Sequence, residues 1–276
     1  MPKQMPKILL RQLSLLLTLL AAAPWAQALT FAVNEGVSYR VSNDEIRARY
    51  APIAADLSKL LNQPVRVEPV GDYPTLRKGL ADKTYDLALV HPAHISIGAI
   101  KGSGYQLVVV TKGFQEYTAR FLVRADSPLK SLADLRGRKL GAPDEDSITS
   151  WMVRATLRDA LGAADRVAYT YTRYQEAVPF MVEHTFTQAG ATAANGVVKQ
   201  WEAAGGKVLA KSKPVPIKHI IASPAISAED VARVRDYFVN LDSTEAGRKK
   251  LEPIKVQGYA AYDGAALMAL GNWLGL

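Results

Sequence analysis

Beyond residue 28 the chain alternates short apolar runs with longer amphipathic stretches. Residues 29–33 (LTFAV) read as a strand. A polar loop follows over 34–43. Then 44–61 set Ile46, Tyr50, Ile53, Leu57, Leu60 and Leu61 at helical spacing, until Asn62-Gln63-Pro64 stops the run. Residues 65–70 alternate as a strand and 72–81 form a short helix. Residues 85–90 (YDLALV) are nearly all apolar, as buried parallel strands are. A helix over 92–100 and a strand over 106–111 complete a first block. In a second block, strands are predicted at 119–124, 139–142, 166–171, 187–191 and 207–211. Helical pieces separate them at 131–135, 147–161, 174–183 and 193–204. Residues 218–222 (KHIIA) are again a strand. Ser227 and Asp230 form a capping pair for a helix over 227–241, with helical pieces on to 276. This alternation predicts an α/β protein whose layers are mostly parallel sheets flanked by helices. Short crossings near 117–120 and 214–218 divide it into two lobes. The first comprises 29–118 and the return segment 218–276 with its terminal helices; the second comprises 119–217.

The first 28 residues are a different kind of sequence. Lys3, Lys7 and Arg11 precede the apolar run 13–23, and Ala26-Gln27-Ala28 follows as a small-x-small cleavage pattern. A secretory signal peptide is expected, cut after Ala28. No later stretch is long and apolar enough to span a bilayer. The 276 residues are 49% hydrophobic and 22% charged, which excludes a disordered chain. Cysteine is absent, which excludes a disulfide scaffold, a thiolate metal site, a thiol nucleophile and a lipidated N-terminal cysteine. An exported protein without a lipid anchor is useful where an outer barrier retains it, so a periplasmic monomer is expected. The net charge is +8, of which the leader supplies three, and this mild basicity suits an anionic ligand. Lys/Arg stripes interleaved with aromatics are missing, so nucleic acid is not an expected partner.

Four stretches in order carry a family likeness: LTFAV with RYAPIAADLSKLLNQPV, GDYPTLRKGLADKTYDLALVHPAHI, SLADLRGRKLGAPDEDSITSWM, and PVPIKHIIASPAISAEDVARVRDYF. Together they resemble the phosphate/phosphite/phosphonate-binding periplasmic proteins of ABC transporters, over nearly all of 29–276. The resemblance implies the two-lobed, hinged type II periplasmic-binding fold. It also implies capture of a small phosphorus oxyanion in the interlobe cleft, without a cofactor, for delivery to an ABC permease and its ATPase. Delivery to a membrane sensor kinase, or another ligand such as a thiamine precursor or a sulfonate, are the alternatives on the same scaffold.

The strongest local feature is Ser147-Ile148-Thr149-Ser150 at the head of a helix. Unpaired N–H groups and the helix dipole make such an end attractive to oxyanions, and the hydroxyls add donors. The resemblance implies the same role for this turn; ordinary capping by Ser147 or Asp146 is the competing explanation. Asp144, Glu145 and Asp146 stand next to it and must point away or be neutralised. His91 leaves the strand 85–90 where ligands of open α/β sheets sit, able to offer an oxyanion a hydrogen bond or, when protonated, a charge. His91 and His94 alone are too few for zinc, and only His184 and His219 remain to help. The resemblance aligns Lys218, and loosely Asn195, with acids that hold the ammonium of aminoalkylphosphonates in relatives. Their replacement favours a more anionic ligand without an amine. Tyr39, Tyr73 and Tyr117 are candidate cleft aromatics, with Asn34 and Ser38 as minor ones. Catalytic motifs of the GxSxG, HExxH, P-loop or GxGxxG kind are missing, so an enzyme is not expected.

Overall fold

The computed structural model describes residues 28–36, 41–163 and 166–276. The leader up to residue 27, Ser38 and Tyr39 therefore lie outside the described residues. The first half of the chain runs β1 (Leu29–Val33), α1 (Asn43–Leu61), β2 (Val65–Pro69), α2 (Tyr73–Ala81), β3 (Leu87–Val90), α3 (Ala93–Ser103) and β4 (Gln106–Thr111). Next come β5 (Arg120–Val123), β6 (Lys139–Ala142), α4 (Ile148–Leu161), β7 (Ala168–Tyr171), α5 (Val178–Glu183), β8 (Ala189–Thr192), α6 (Asn195–Ala203) and β9 (Lys207–Lys211). The chain ends with β10 (His219–Ala222), α7 (Ala228–Asn240), α8 (Glu245–Leu251), β11 (Tyr259–Ala260) and α9 (Gly264–Leu274). One-turn 3₁₀ segments lie at Leu132–Leu135, Gln175–Ala177 and Leu241–Ser243.

These strands form two sheets, one per lobe. The first has the order β11-β4-β10-β3-β1-β2 and the second β7-β6-β8-β5-β9. Both are mixed rather than mostly parallel. The βαβ units give the expected parallel pairs, β1 with β2 and β3, and β6 with β7 and β8. The strands that arrive through a crossing enter from the opposite end. Thus β10 runs antiparallel between β3 and β4, and β5 runs antiparallel between β8 and β9. The short β11, which carries no clear strand pattern, closes the edge beside β4.

Burial follows the sequence pattern. All four residues of β3 are buried. On α1 the helical stripe buries Ile46, Tyr50, Ile53 and Leu57 against the first sheet. A fully buried Ile or Leu of this kind is worth about 1.5–3 kcal/mol. The same helix begins with Ser42 accepting from the Glu45 amide and ends at Asn62 in the left-handed region.

The two crossings pair with each other. Val215 N–H donates to Tyr117 O at 2.9 Å, Ile217 N–H to Phe114 O at 3.0 Å, and Thr111 N–H to Lys218 O at 3.0 Å. The result is a short two-stranded ribbon between the lobes. Helix α9 also spans both. Gly271 sits so close to Ile97 of α3 that a Cβ would lie 2.5 Å from its Cγ2, while Trp273 Nε1 donates to Asp159 of α4 at 2.9 Å. One apolar cluster accordingly includes Ala93 and Ile97 from the first lobe, Met152, Val153 and Leu157 from the second, and Leu267 and Leu274 from α9.

Candidate functional site

The second-lobe wall starts where β6 turns into α4. Ser147 takes extended backbone angles and its Oγ accepts from Ser150 N–H at 3.1 Å, which is ordinary capping. The buried Ser150 hydroxyl donates back to Pro143 O at 2.9 Å. Two of the three hydroxyls therefore hold the turn together. The amides of Ile148 and Thr149 have no acceptor among the described residues, as the first turn of a helix requires.

Thr149 faces a polar cluster that sequence reasoning did not assemble. Its hydroxyl lies 3.2 Å from the Tyr117 hydroxyl on the crossing ribbon and donates to Gln175 Oε1 at 3.5 Å. Gln175 is the hub. Its Nε2 donates to the Tyr117 hydroxyl at 2.9 Å, while its Oε1 also accepts from Ala193 N–H at 2.6 Å and Thr192 Oγ1 at 3.1 Å. Thr149 and Thr192 are fully buried. The site thus draws together the ends of β6, β7 and β8 with one crossing. The usable signal for Gln175 was its place just past a strand end, where open α/β sheets put their ligands. Asn195 is exposed on the first turn of α6, beyond the network that ends at Ala193 and Ala194.

The first-lobe wall sits at the carboxyl ends of β1 and β3. Because β10 runs against β3, Lys218 and His91 come out at the same edge. His91 Nδ1 lies 3.2 Å from Ile217 O, so Nδ1 carries the proton and Nε2 is left as an acceptor. Burial, reinforced by the Lys218 charge, lowers the His91 pKa to about 4. At neutral pH His91 is therefore an uncharged group and supplies no positive charge. Gly36, at φ +102°, lets the loop after β1 close on this ring; a Cβ there would come within 2.6 Å of His91 Cδ2. Lys218 Nζ rests 4.0 Å from the centre of the Phe114 ring. Burial depresses the Lys218 ammonium pKa, and the Glu35 carboxylate opposes that shift. Asn34 is fully buried and serves the loop, its Nδ2 donating to Val70 O at 2.7 Å and its Oδ1 accepting from Gly36 N–H at 3.2 Å.

The lobes also touch at one edge of the cleft. Arg77 of α2 donates to both oxygens of Asp146, at 2.7 and 2.8 Å. His94 of α3 stacks on Trp151 of α4, with centroids 5.2 Å apart and planes 20° apart. Tyr73 packs edge-on against His94, and its hydroxyl is pushed up to about 12 by burial and then by Asp146 and Asp144. The candidates Tyr73 and Tyr117 thus both lie in the interlobe region, Tyr73 at the head of α2 and Tyr117 on the crossing ribbon. Among the described residues no group of three or more His, Cys, Asp or Glu is placed to hold a metal, and no helix is long and apolar enough to cross a membrane.

Two mixed sheets, each flanked by helices and joined by paired crossings, with polar groups at facing strand ends, define a two-lobed α/β solute-binding protein. A family model described as "ABC transporter, phosphonate, periplasmic substrate-binding protein" matches residues 36–267, and the chain belongs to that family. The solved structures it resembles include XAC2383 from Xanthomonas citri bound to ATP (TM-score 0.70, 14% identity, covering 90% of this chain and 97% of that one). PhnD1 from Prochlorococcus marinus in complex with methylphosphonate gives a TM-score of 0.61 at 14% identity, with the same coverage of 90% and 97%. The aliphatic sulphonate binding protein SsuA from Escherichia coli gives 0.53 at 18% identity, covering 90% of this chain and 79% of that one. No curated protein matches the sequence. The family is a periplasmic solute-binding one, the substrate-binding component of ABC transporters, which implies a small ligand and permease and ATPase partners.

Proposed function

We propose that this chain captures a small phosphorus oxyanion (phosphonate, phosphite or phosphate) in the cleft between its lobes and delivers it to the permease. The carrying observation is the Thr149–Tyr117–Gln175 cluster next to the unpaired Ile148 and Thr149 amides at the second-lobe strand ends, with the Lys218 ammonium on the crossing ribbon that also carries Tyr117. Such donors bind a tetrahedral oxyanion through charge-assisted hydrogen bonds in a partly dry site, where each bond is stronger than in water. Neutral His91 fits as an acceptor for a ligand P–OH through Nε2. The methylphosphonate of the Prochlorococcus relative supports the ligand class. The working division is a first lobe of 29–118 and 218–276 and a second of 119–217. The mature protein begins after Ala28 and acts as a monomer.

Calorimetric titration with methylphosphonate, aminoethylphosphonate, phosphite, phosphate, methanesulfonate and sulfate tests the reading. At least one phosphorus oxyanion is expected to bind, and Thr149→Ala to weaken it by tenfold or more, since a charge-assisted bond is worth about 1.5–3 kcal/mol. Binding of an alkylsulfonate alone, or an unaltered affinity in Thr149→Ala, overturns it.

A further inference from the structure

An oxyanion site beside three acids presents an electrostatic problem. Asp144, Glu145 and Asp146 precede the turn that opens α4, and a carboxylate close to bound anion raises the cost of binding it. The structure answers this with a residue 69 positions away and on the other lobe. Arg77 meets Asp146 in a two-pronged pair, Nη1 to Oδ2 at 2.7 Å and Nη2 to Oδ1 at 2.8 Å, the geometry in which guanidinium and carboxylate bind best. The pair has support on both sides. Trp151 Nε1 donates to Asp146 Oδ1 at 3.4 Å, His94 Nε2 lies 3.3 Å from the same oxygen, and the Arg154 guanidinium sits 5.0 Å from the centre of the Trp151 ring. Burial by itself would raise the Asp146 carboxyl, yet the contacts with His94 and Arg77 outweigh it and hold the group well below the usual carboxylate range.

Asp146 is covalently next to Ser147, the cap of α4. Its partner Arg77 belongs to a helix of the six-stranded lobe. A shift of one lobe against the other therefore breaks the pair. We infer that Arg77 is a positioning residue for ligand capture, which ties the first lobe to the turn at the head of α4 and cancels the acid nearest that turn without touching the ligand. This inference rests on the proposed oxyanion site. It separates Arg77 from an ordinary surface ion pair, because it couples the pair both to closure and to ligand charge.

The test is a double-mutant cycle read by calorimetry with methylphosphonate on the full mature chain: wild type, Arg77→Ala, Asp146→Asn and the double variant. Both side chains of the pair are 41% exposed, so the loss in Arg77→Ala is set at roughly fivefold in affinity. In the Asp146→Asn background, where the carboxylate that Arg77 pairs with is gone, the same substitution is expected to cost less than about twofold. Arg77→Lys, which keeps the charge and loses the fork, should fall between wild type and Arg77→Ala. An equal loss in both backgrounds, or none in either, overturns the inference.

Because the chain has no cysteine, spin labels at Lys59→Cys and Lys199→Cys report the lobe separation cleanly. Ligand-free Arg77→Ala should populate longer distances than ligand-free wild type, and identical distributions overturn the tie. A wild-type protein that binds no phosphorus oxyanion overturns the ligand assignment, and the labels still decide the tie.

Discussion

Replacing Gln175 by alanine removes four hydrogen bonds at once. Its Oε1 accepts from Ala193 N–H, Thr192 Oγ1 and Thr149 Oγ1, and its Nε2 donates to the Tyr117 hydroxyl. Not all four weigh equally. The Tyr117 hydroxyl is half-buried and can turn to water, and the 3.5 Å contact from Thr149 is at the limit of a useful bond. The Ala193 amide and the Thr192 hydroxyl are buried, and among the described residues Gln175 is their acceptor. A buried donor left unpaired costs about 1–3 kcal/mol, so two of them put Gln175→Ala at about 2–4 kcal/mol, allowing for some water entry. For a chain of this size, that lowers the melting temperature by about 5–15 °C. Gln175→Glu keeps the acceptor and loses the donor to Tyr117. It should melt closer to wild type while binding methylphosphonate far more weakly, because it sets a carboxylate beside the proposed oxyanion site. Thermal melts of both variants, each followed by titration, check the pair of outcomes. If Gln175→Ala melts within a degree of wild type, or if Gln175→Glu binds as wild type does, the hub has no such role.

Acid should destabilise the fold in a defined window. Burial holds both His91 and His219 at a folded-state pKa of about 4, His91 with help from the Lys218 charge. The unfolded value is about 6.5, so between these limits only the unfolded chain takes the proton. Stability is thus full above pH 6.5 and falls by about 1.4 kcal/mol per pH unit for each histidine as the pH drops toward 4. Urea midpoints between pH 7 and 4.5 check this, and a flat profile contradicts it. Gly190→Ala should cost about 1–3 kcal/mol, since its Cβ would lie 2.6 Å from Val178 Cγ1 and 2.7 Å from Val182 Cγ2 on the helix that follows Gln175. An unchanged melting temperature would show that α5 moves aside freely.

Local pattern carried the elements of this fold further than it carried the site. β1, β4, β6 and β9 occupy the runs the periodicity marks, because an apolar run of strand length bounded by turns has few other uses. The sense of pairing was not local. A strand delivered by a crossing looks the same in sequence whichever way it enters the sheet, so β5 and β10 gave no sign of running antiparallel. The two-residue β11 is too short to show a period at all.

The same distinction decides what could be read of the site. The turn at Ser147–Ser150 is visible because strand, turn and hydroxyls are contiguous, but which hydroxyl faces the cleft depends on Pro143, Tyr117 and Gln175, which only tertiary structure brings there. His91 stands just past a strand end, as its place after 85–90 implies, yet its charge depends on burial and then on Lys218 and the Ile217 carbonyl, more than 120 residues along the chain. The acids before α4 are the sharpest case. Their conflict with an anion site follows from sequence alone, as does the requirement that they point away or be neutralised. The identity of the neutralising group does not, because 34 lysines and arginines are available and nothing local distinguishes Arg77. Only the approach of α2 to α4 across the cleft selects it. The charge balance of such a site is therefore a property of the two lobes together, and a lobe studied alone would retain the acid and lose its partner.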